Sequence, residues 1–168
     1  MLDNIIPTNP RVASNIFYDG KDKIHASGQI TVTQVCGEPS IMQVQCMKTN
    51  VSATSDYGTS FTIPVGENFN SKDFEYTSLF IRASQNNTVV NVDKDNNGTF
   101  ETTATINEGE VLHVNGSVLS GATVTGSAPI GVDLHFGGND SYSSRDVPIF
   151  PATWYYHTYY SPVPTTGA

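Results

Sequence analysis

Apolar and polar residues alternate along most of the chain with the two-residue period of a β-strand, and helical periodicity is close to absent. Clusters of Gly, Asn and Pro, such as Gly126-Ser127-Ala128-Pro129, separate the alternating runs and predict turns. Strands are predicted at Ile24–Cys36, Ile41–Lys48, Gly58–Val65, Tyr76–Ala83, Thr88–Asp93, Thr99–Ile106, Glu110–Val114, Ala122–Thr125, Pro129–Phe136 and Arg145–Phe150. This pattern indicates an all-β fold, an antiparallel β-sandwich of Greek-key or jelly-roll type with about ten or more strands.

The same alternation predicts which side chains face the core. Val132, Leu134 and Phe136 point one way, and Asp133 and His135 point the other, toward solvent. Similar reasoning buries Val90, Val92, Leu112 and Val114 and exposes His113. If their strands are neighbours, His113, Asp133 and His135 form a candidate zinc site, although polar side chains on a solvated face are the ordinary result of alternation.

Composition narrows the classes of partner. Hydrophobic residues make up 38% of the chain, charged residues only 14%, and the net charge is −8. The eight basic residues are scattered along the chain, whereas a nucleic-acid binder needs clustered Lys and Arg. We therefore do not expect nucleic acid or an anionic membrane surface as a partner. No run approaches the roughly 20 apolar residues of a membrane span, so no membrane insertion is expected.

The sequence shows no break in composition that would divide it. We expect an N-terminal arm and first strand at residues 1–26, a β-sandwich domain at 27–163 and a tail at 164–168. A surface rich in Ser, Thr and Asn is typical of secreted β-modules, so the expected location is extracellular or at the cell surface. No secretory signal is present in the chain, which is then a mature segment.

Two cysteines, Cys36 and Cys46, flank the turn Gly37-Glu38-Pro39-Ser40. A hairpin there would place them on adjacent strands, within reach of a disulfide if the register agrees. Two buried free thiols are the alternative, because cysteine is common in cores.

The loop Asp93-Lys94-Asp95-Asn96-Asn97-Gly98 carries the most specific chemical motif. Oxygen ligands at alternate positions followed by Gly reproduce the first half of a calcium loop, with the Thr99 carbonyl and Glu101 as further ligands. Position twelve is Ala104 rather than Glu, so the loop is not an EF-hand. A metal-free hairpin turn is the competing interpretation, because Asn-Gly and Asx turns form without any ion.

The C-terminal segment from Phe150 to Tyr160 is dense in aromatic residues. Trp154, Tyr155, Tyr156 and Tyr159 are candidate contacts for a glycan or a protein partner. Packing of these rings into the core and edge of the fold is the alternative, since strands favour aromatic residues.

Several runs in order resemble a known module. Tyr57-Gly58-Thr59-Ser60-Phe61-Thr62-Ile63-Pro64-Val65-Gly66, the Asp/Asn loop, Ile106-Asn107-Glu108-Gly109-Glu110, the run from Gly121 to Ile130, and Tyr159-Tyr160-Ser161-Pro162-Val163 are of this kind. They are similar to runs in the repeated β-sandwich module of large secreted bacterial and archaeal surface proteins, which itself resembles the N-terminal module of IgGFc-binding proteins. The resemblance spans about Ser27 to Val163. It implies a non-enzymatic surface module and assigns no partner.

The function expected is that of a non-enzymatic extracellular surface, adhesion or matrix scaffold module, stiffened by calcium if the loop binds it. Its expected partners are neighbouring modules or identical subunits, or an extracellular protein or glycan. Nothing resembles a nucleophile elbow, so no hydrolase is expected. Two alternatives stay open: a self-assembling subunit of a fibre, sheath or viral appendage whose N-terminal arm adds a strand to a neighbour, and a carbohydrate-binding module.

Overall fold

The computed structural model describes residues 24–34, 49–138 and 144–155, and these residues are all-β. They contain no α-helix, three 3-10 turns (Thr54–Asp56, Lys72–Phe74 and Ala152–Trp154) and nine strands. The strands are β1 (Thr33–Gln34), β2 (Thr49–Asn50), β3 (Gly58–Thr62), β4 (Tyr76–Ala83), β5 (Thr88–Asp93), β6 (Thr102–Ile106), β7 (Val111–Val114), β8 (Thr123–Gly137) and β9 (Ser144–Ile149). All their pairings are antiparallel, as the alternation predicts.

Strand β8 organises the sheet. It is 15 residues long. Its first half pairs with β5 on one edge and β3 on the other, and its second half pairs with β4 and β9. Strand β6 extends the sheet from β5, and β7 extends it from β4. Strands β1 and β2 form a separate two-stranded ladder. The seven strands from β3 to β9 thus form one sheet around a shared central strand.

The change of partners along β8 occurs at Gly126–Pro129, where the sequence predicts a turn. The strand continues through this segment instead, so the prediction of two strands separated by a turn is wrong. The ladder with β3 shifts here, because Gly58 pairs with Ile130 while Ser60 pairs with Thr125. A β-carbon on Gly126 would lie 2.7 Å from the Ala128 carbonyl oxygen, so only glycine permits the local approach of the backbone.

One core serves both halves of the sheet. The first half contributes Phe61, Val90, Val92 and Val124, and the second contributes Leu79, Ile81, Val132 and Leu134, all within one buried cluster. The predicted inward positions are confirmed for Val90, Val92, Val114, Val132, Leu134 and Phe136, and Leu112 packs against the cluster while remaining partly exposed. Burial of alternate side chains, as along β5 and the second half of β8, therefore provides the main stabilisation.

Some predicted elements differ from those observed. Tyr76–Ala83 and Thr88–Asp93 match their predictions, whereas residues 24–32 form no strand, and Ile24 and Ile30 are exposed. Strand β3 ends before Pro64, which has no backbone N–H to continue the ladder. Strand β4 pairs with β7 and β8 rather than with its sequence neighbour β5. The predicted strand Ile41–Lys48 lies outside the described residues. Among the described residues, no helix has the length and apolar character needed to cross a membrane.

Candidate functional site

The Asp93 loop connects β5 to β6 and is closed by its own side chains. Asp93 is only 3% exposed, and its carboxylate accepts hydrogen bonds from the backbone N–H of Asn97 (3.1 Å) and of Gly98 (2.8 Å). Asp95 Oδ1 also accepts from the Asn97 N–H at 3.2 Å, and Asn97 Oδ1 accepts from the Thr99 N–H at 2.8 Å. Asn96 and Gly98 have positive φ values of 59° and 89°, which Asn and Gly tolerate best. The Asp and Asn side chains thus accept the backbone N–H groups of the loop, as in Asx turns.

Three carboxylates of this loop converge. One oxygen each from Asp93, Asp95 and Glu101 lies within 4.8 Å of the other two. Asn97 Oδ1 is engaged by the Thr99 amide, and Glu101 Oε2 accepts from the Lys94 N–H. The predicted ligands Asp93, Asp95 and Glu101 are therefore brought together. Calcium needs six to eight oxygens, so water and carbonyl oxygens must supply the remainder of any site here.

The outward side chains of β4, β8 and β9 form one ion pair and one imidazole–carboxylate hydrogen bond that the sequence did not predict. Arg82 Nη2 lies 2.6 Å from Asp133 Oδ2, and His135 Nδ1 lies 2.7 Å from Asp146 Oδ1. Asp133 and His135 lie on the face opposite the core, as the alternation predicts, although their side chains are only 21% and 17% exposed. Alternation reveals which residues share a face, but not that the face is covered.

His113 does not join these residues in a metal site. The register places Phe80 between His113 and Asp133. The Phe80 ring stacks on the His113 ring at 4.8 Å and meets the His135 ring edge-on at 6.0 Å. An aromatic ring thus occupies the space between the two imidazoles, and within the described ranges the only acidic or histidine cluster of metal-binding size is the one at Asp93.

Burial shapes the titration of this covered face. It raises the pKa of Asp133, an effect that the Arg82 guanidinium opposes and the Asp146 carboxylate reinforces. It also lowers the pKa of His113, with a smaller contribution from His135. Tyr57 packs over Gly131 on the same face, and burial raises the pKa of its hydroxyl.

The register also aligns Ser78, His135 and Asp146 in one row across β4, β8 and β9. Serine, histidine and aspartate in a row invite comparison with an acyl-transfer triad. Ser78 is completely buried, however, whereas a nucleophile must be reachable by its substrate. The arrangement therefore fits a packed polar layer better than a catalytic centre.

The aromatic candidates Trp154 and Tyr155 lie at the surface rather than in the core. Trp154 is 40% exposed and Tyr155 is 52% exposed. Phe150, which the sequence analysis did not single out, stacks on Trp154 with a centroid distance of 5.5 Å and an interplanar angle of 15°. The two aromatic residues are four positions apart, and the 3-10 turn that begins at Pro151 brings their rings together. This spacing is the sequence feature from which the pair could have been predicted. Tyr156, Tyr159, Cys36 and Cys46 lie outside the described residues.

No protein-family model, curated protein or solved structure matches this chain.

Proposed function

We propose that this chain is a non-enzymatic extracellular module of a surface, adhesion or matrix protein, which presents rigid loops for contact with other molecules. The proposal keeps the likeness to the repeated modules of secreted surface proteins, carried by the motif runs from Tyr57 to Ile130. It also keeps the β-sandwich architecture. Support for a sandwich comes from β8, whose two halves belong to different groups of strands that pack on one core.

The observation that carries the proposal is the role of the carboxylates. Among the described residues, six of them accept backbone N–H groups, mostly of loops and turns: Asp56, Glu67, Asp93, Asp95, Glu101 and Glu110. Glu67 illustrates the effect, because its Oε1 accepts from the Thr77 N–H at 2.9 Å and from the Ser117 N–H at 2.7 Å. Charge-assisted bonds of this kind hold loops in one conformation.

Hydrogen bonds of the residues beside Glu67 also connect the same two loops. Gly66 N–H donates to Ser120 Oγ at 2.9 Å, and Ser120 N–H donates to Asn68 Oδ1 at 2.8 Å. Two segments far apart in sequence, 66–68 and 116–120, are thereby locked together. A surface of fixed loops suits a module that acts by contact, because little conformational entropy is lost when a partner binds.

The proposal includes calcium as a stabilising ion at the loop between β5 and β6. The three converging carboxylates of Asp93, Asp95 and Glu101 support it. The ion would add ligand bonds to a loop that already closes without it, so its effect is on stability and not on reactivity.

Hydrogen exchange tests the rigidity on which the proposal depends. The loop amides of Lys94, Gly98 and Ser117, each bonded to a carboxylate, are expected to exchange about tenfold or more slowly than exposed, unbonded loop amides. Unprotected exchange at all three would remove the argument for rigid loops. Antibody labelling of intact native cells tests the location, and labelling seen only after permeabilisation would contradict an extracellular module.

Sedimentation velocity over a hundredfold range of concentration separates this proposal from the assembling subunit. A constant sedimentation coefficient is expected of the module. Growth to fibres or rings with concentration would instead favour a self-assembling subunit of a fibre, sheath or appendage.

A further inference from the structure

Two exposed rings, Phe150 and Trp154, stack on each other, and together with the exposed neighbouring residue Tyr155 we call them the aromatic ledge. They are 52%, 40% and 52% exposed. Phe150 and Trp154 are nearly parallel and offset, with centroids 5.5 Å apart. Each ring therefore keeps part of its surface open to solvent.

The ledge is held in place by a short turn. Pro151 begins the 3-10 turn, the Trp154 N–H donates to the Pro151 carbonyl at 2.9 Å, and the Tyr155 N–H donates to the Ala152 carbonyl at 3.2 Å. Pro151 is buried against Gly58. The Tyr155 hydroxyl donates to the Thr62 carbonyl of β3 at 3.4 Å. A ligand would meet rings that are already positioned, which lowers the entropic cost of binding.

The two sequence segments that build the ledge and support it contain no charged residue. The stretches 57–66 and 147–155 contain no Asp, Glu, Lys or Arg, although the chain has a net charge of −8. Exposed hydroxyl side chains of β3 lie next to the turn: Thr59, Ser60 and Thr62. A neutral ligand with both an apolar face and hydroxyl groups matches this combination.

The size of the ledge decides between a small ligand and a protein surface. A buried aromatic side chain covers about 150–250 Å², so three half-exposed rings offer roughly 200–400 Å². A standard protein interface needs about 800 Å² from each partner. The ledge is too small to hold a second copy of the chain by itself, but its area is comparable to one or two sugar rings.

We propose that the aromatic ledge binds a neutral hexose glycan, with the C–H face of a pyranose ring stacked on Trp154 or Phe150 and the hydroxyls of β3 within reach of the sugar hydroxyls. The inference deepens the proposed function by assigning the module a class of ligand. It can fail while the rigid extracellular module stands, since location and loop exchange are measured independently of sugar.

Trp154 is the only tryptophan of the chain, so its fluorescence reports on the ledge directly. Titration with cellohexaose, maltohexaose and mannohexaose is expected to change that emission saturably for at least one of the three. Binding of the responsive sugar is then compared by calorimetry in the wild type, Phe150→Ala and Trp154→Ala. Each substitution is expected to weaken binding about tenfold or more.

Phe100→Ala serves as the matched control, because Phe100 is 51% exposed but belongs to the connection between β5 and β6 and not to the ledge. It is expected to leave the affinity unchanged. If Trp154→Ala does not fold, the loss of affinity in Phe150→Ala tests the ledge. Several results would overturn the inference: no response to any of the three sugars at about 10 mM, equal affinity in Phe150→Ala and wild type, or a preference for anionic polysaccharide. A fluorescence change on raising protein concentration without sugar would assign the ledge to a second copy of the chain instead.

Discussion

The ring of Tyr57 lies directly over Gly131, so that a β-carbon added to this glycine would be 2.5 Å from Tyr57 Cε1. We predict that Gly131→Ala lowers the free energy of unfolding by about 1–3 kcal/mol, because the added methyl displaces a packed ring. Urea denaturation measures the change.

Tyr57→Ala provides the test of mechanism. In that background the methyl has space, so Gly131→Ala is expected to cost less than it does in the wild type, giving a coupling energy between the two sites. Gly28→Ala is the control, since nothing lies within 4 Å of its β-carbon. Equal costs in both backgrounds would show that the ring is not the cause.

Glu67 joins three segments through one carboxylate. Glu67→Ala leaves the N–H groups of Thr77 and Ser117 without their acceptor, and we predict a loss of about 2–4 kcal/mol in unfolding free energy. Glu67→Gln keeps an oxygen at the same place and is expected to lose less. Thermal and urea unfolding of both variants measure this order, and equal losses would mean that the acceptor oxygen is unimportant.

Calcium is expected to raise the melting temperature of the wild type relative to chelator. For a dissociation constant of about 0.1–1 mM, 1 mM calcium adds roughly 0.4–1.4 kcal/mol. Asp95→Asn keeps an oxygen for the turn but removes a charge from the cluster, so its melting temperature should respond less. A wild-type melting temperature that is the same in calcium and in chelator leaves the loop as a metal-free turn.

His113 gives the stability a dependence on pH. Its pKa in the folded protein is below the ordinary 6.5, so below pH 6.5 the unfolded chain takes up a proton that the folded protein refuses. The stability is therefore full above that pH and falls as the pH decreases. His113→Gln removes the difference, and its unfolding free energy is expected to fall less between about pH 7 and pH 5. Parallel pH profiles of the two proteins would exclude His113 as the source.

The features predicted from sequence are those that depend on local pattern. Tyr76–Ala83 and Thr88–Asp93 were predicted with their observed bounds, because their alternation is uninterrupted and turn residues flank them. The prediction of a turn at Gly126–Pro129 was wrong because of contacts between distant parts of the chain. The segment's turn-forming residues bend a single strand whose neighbours change at that point, and only long-range pairing distinguishes a bend from a turn.

In the candidate site, too, local spacing was predictable from the sequence and the partners of individual side chains were not. The spacing of Asp93, Asp95 and Asn97 predicted a compact loop of converging oxygens, which both the calcium and the Asx-turn interpretations require. It did not predict that Asn97 Oδ1 would face the Thr99 amide. Likewise, alternation placed Asp133 and His135 on one face but did not predict their partners Arg82 and Asp146, because side-chain contacts between neighbouring strands depend on register.

The contact between Gly58 and Pro151 has a consequence for how the chain transmits force. A β-carbon on Gly58 would be 2.5 Å from Pro151 Cβ, so the first residue of β3 and the residue that follows β9 by two positions touch. The polypeptide therefore enters and leaves the seven-stranded sheet at a single point. Because these ends are adjacent, a pull on the two flanking segments would be applied at neighbouring points of the sheet, where β3 and β9 pair with the middle of β8.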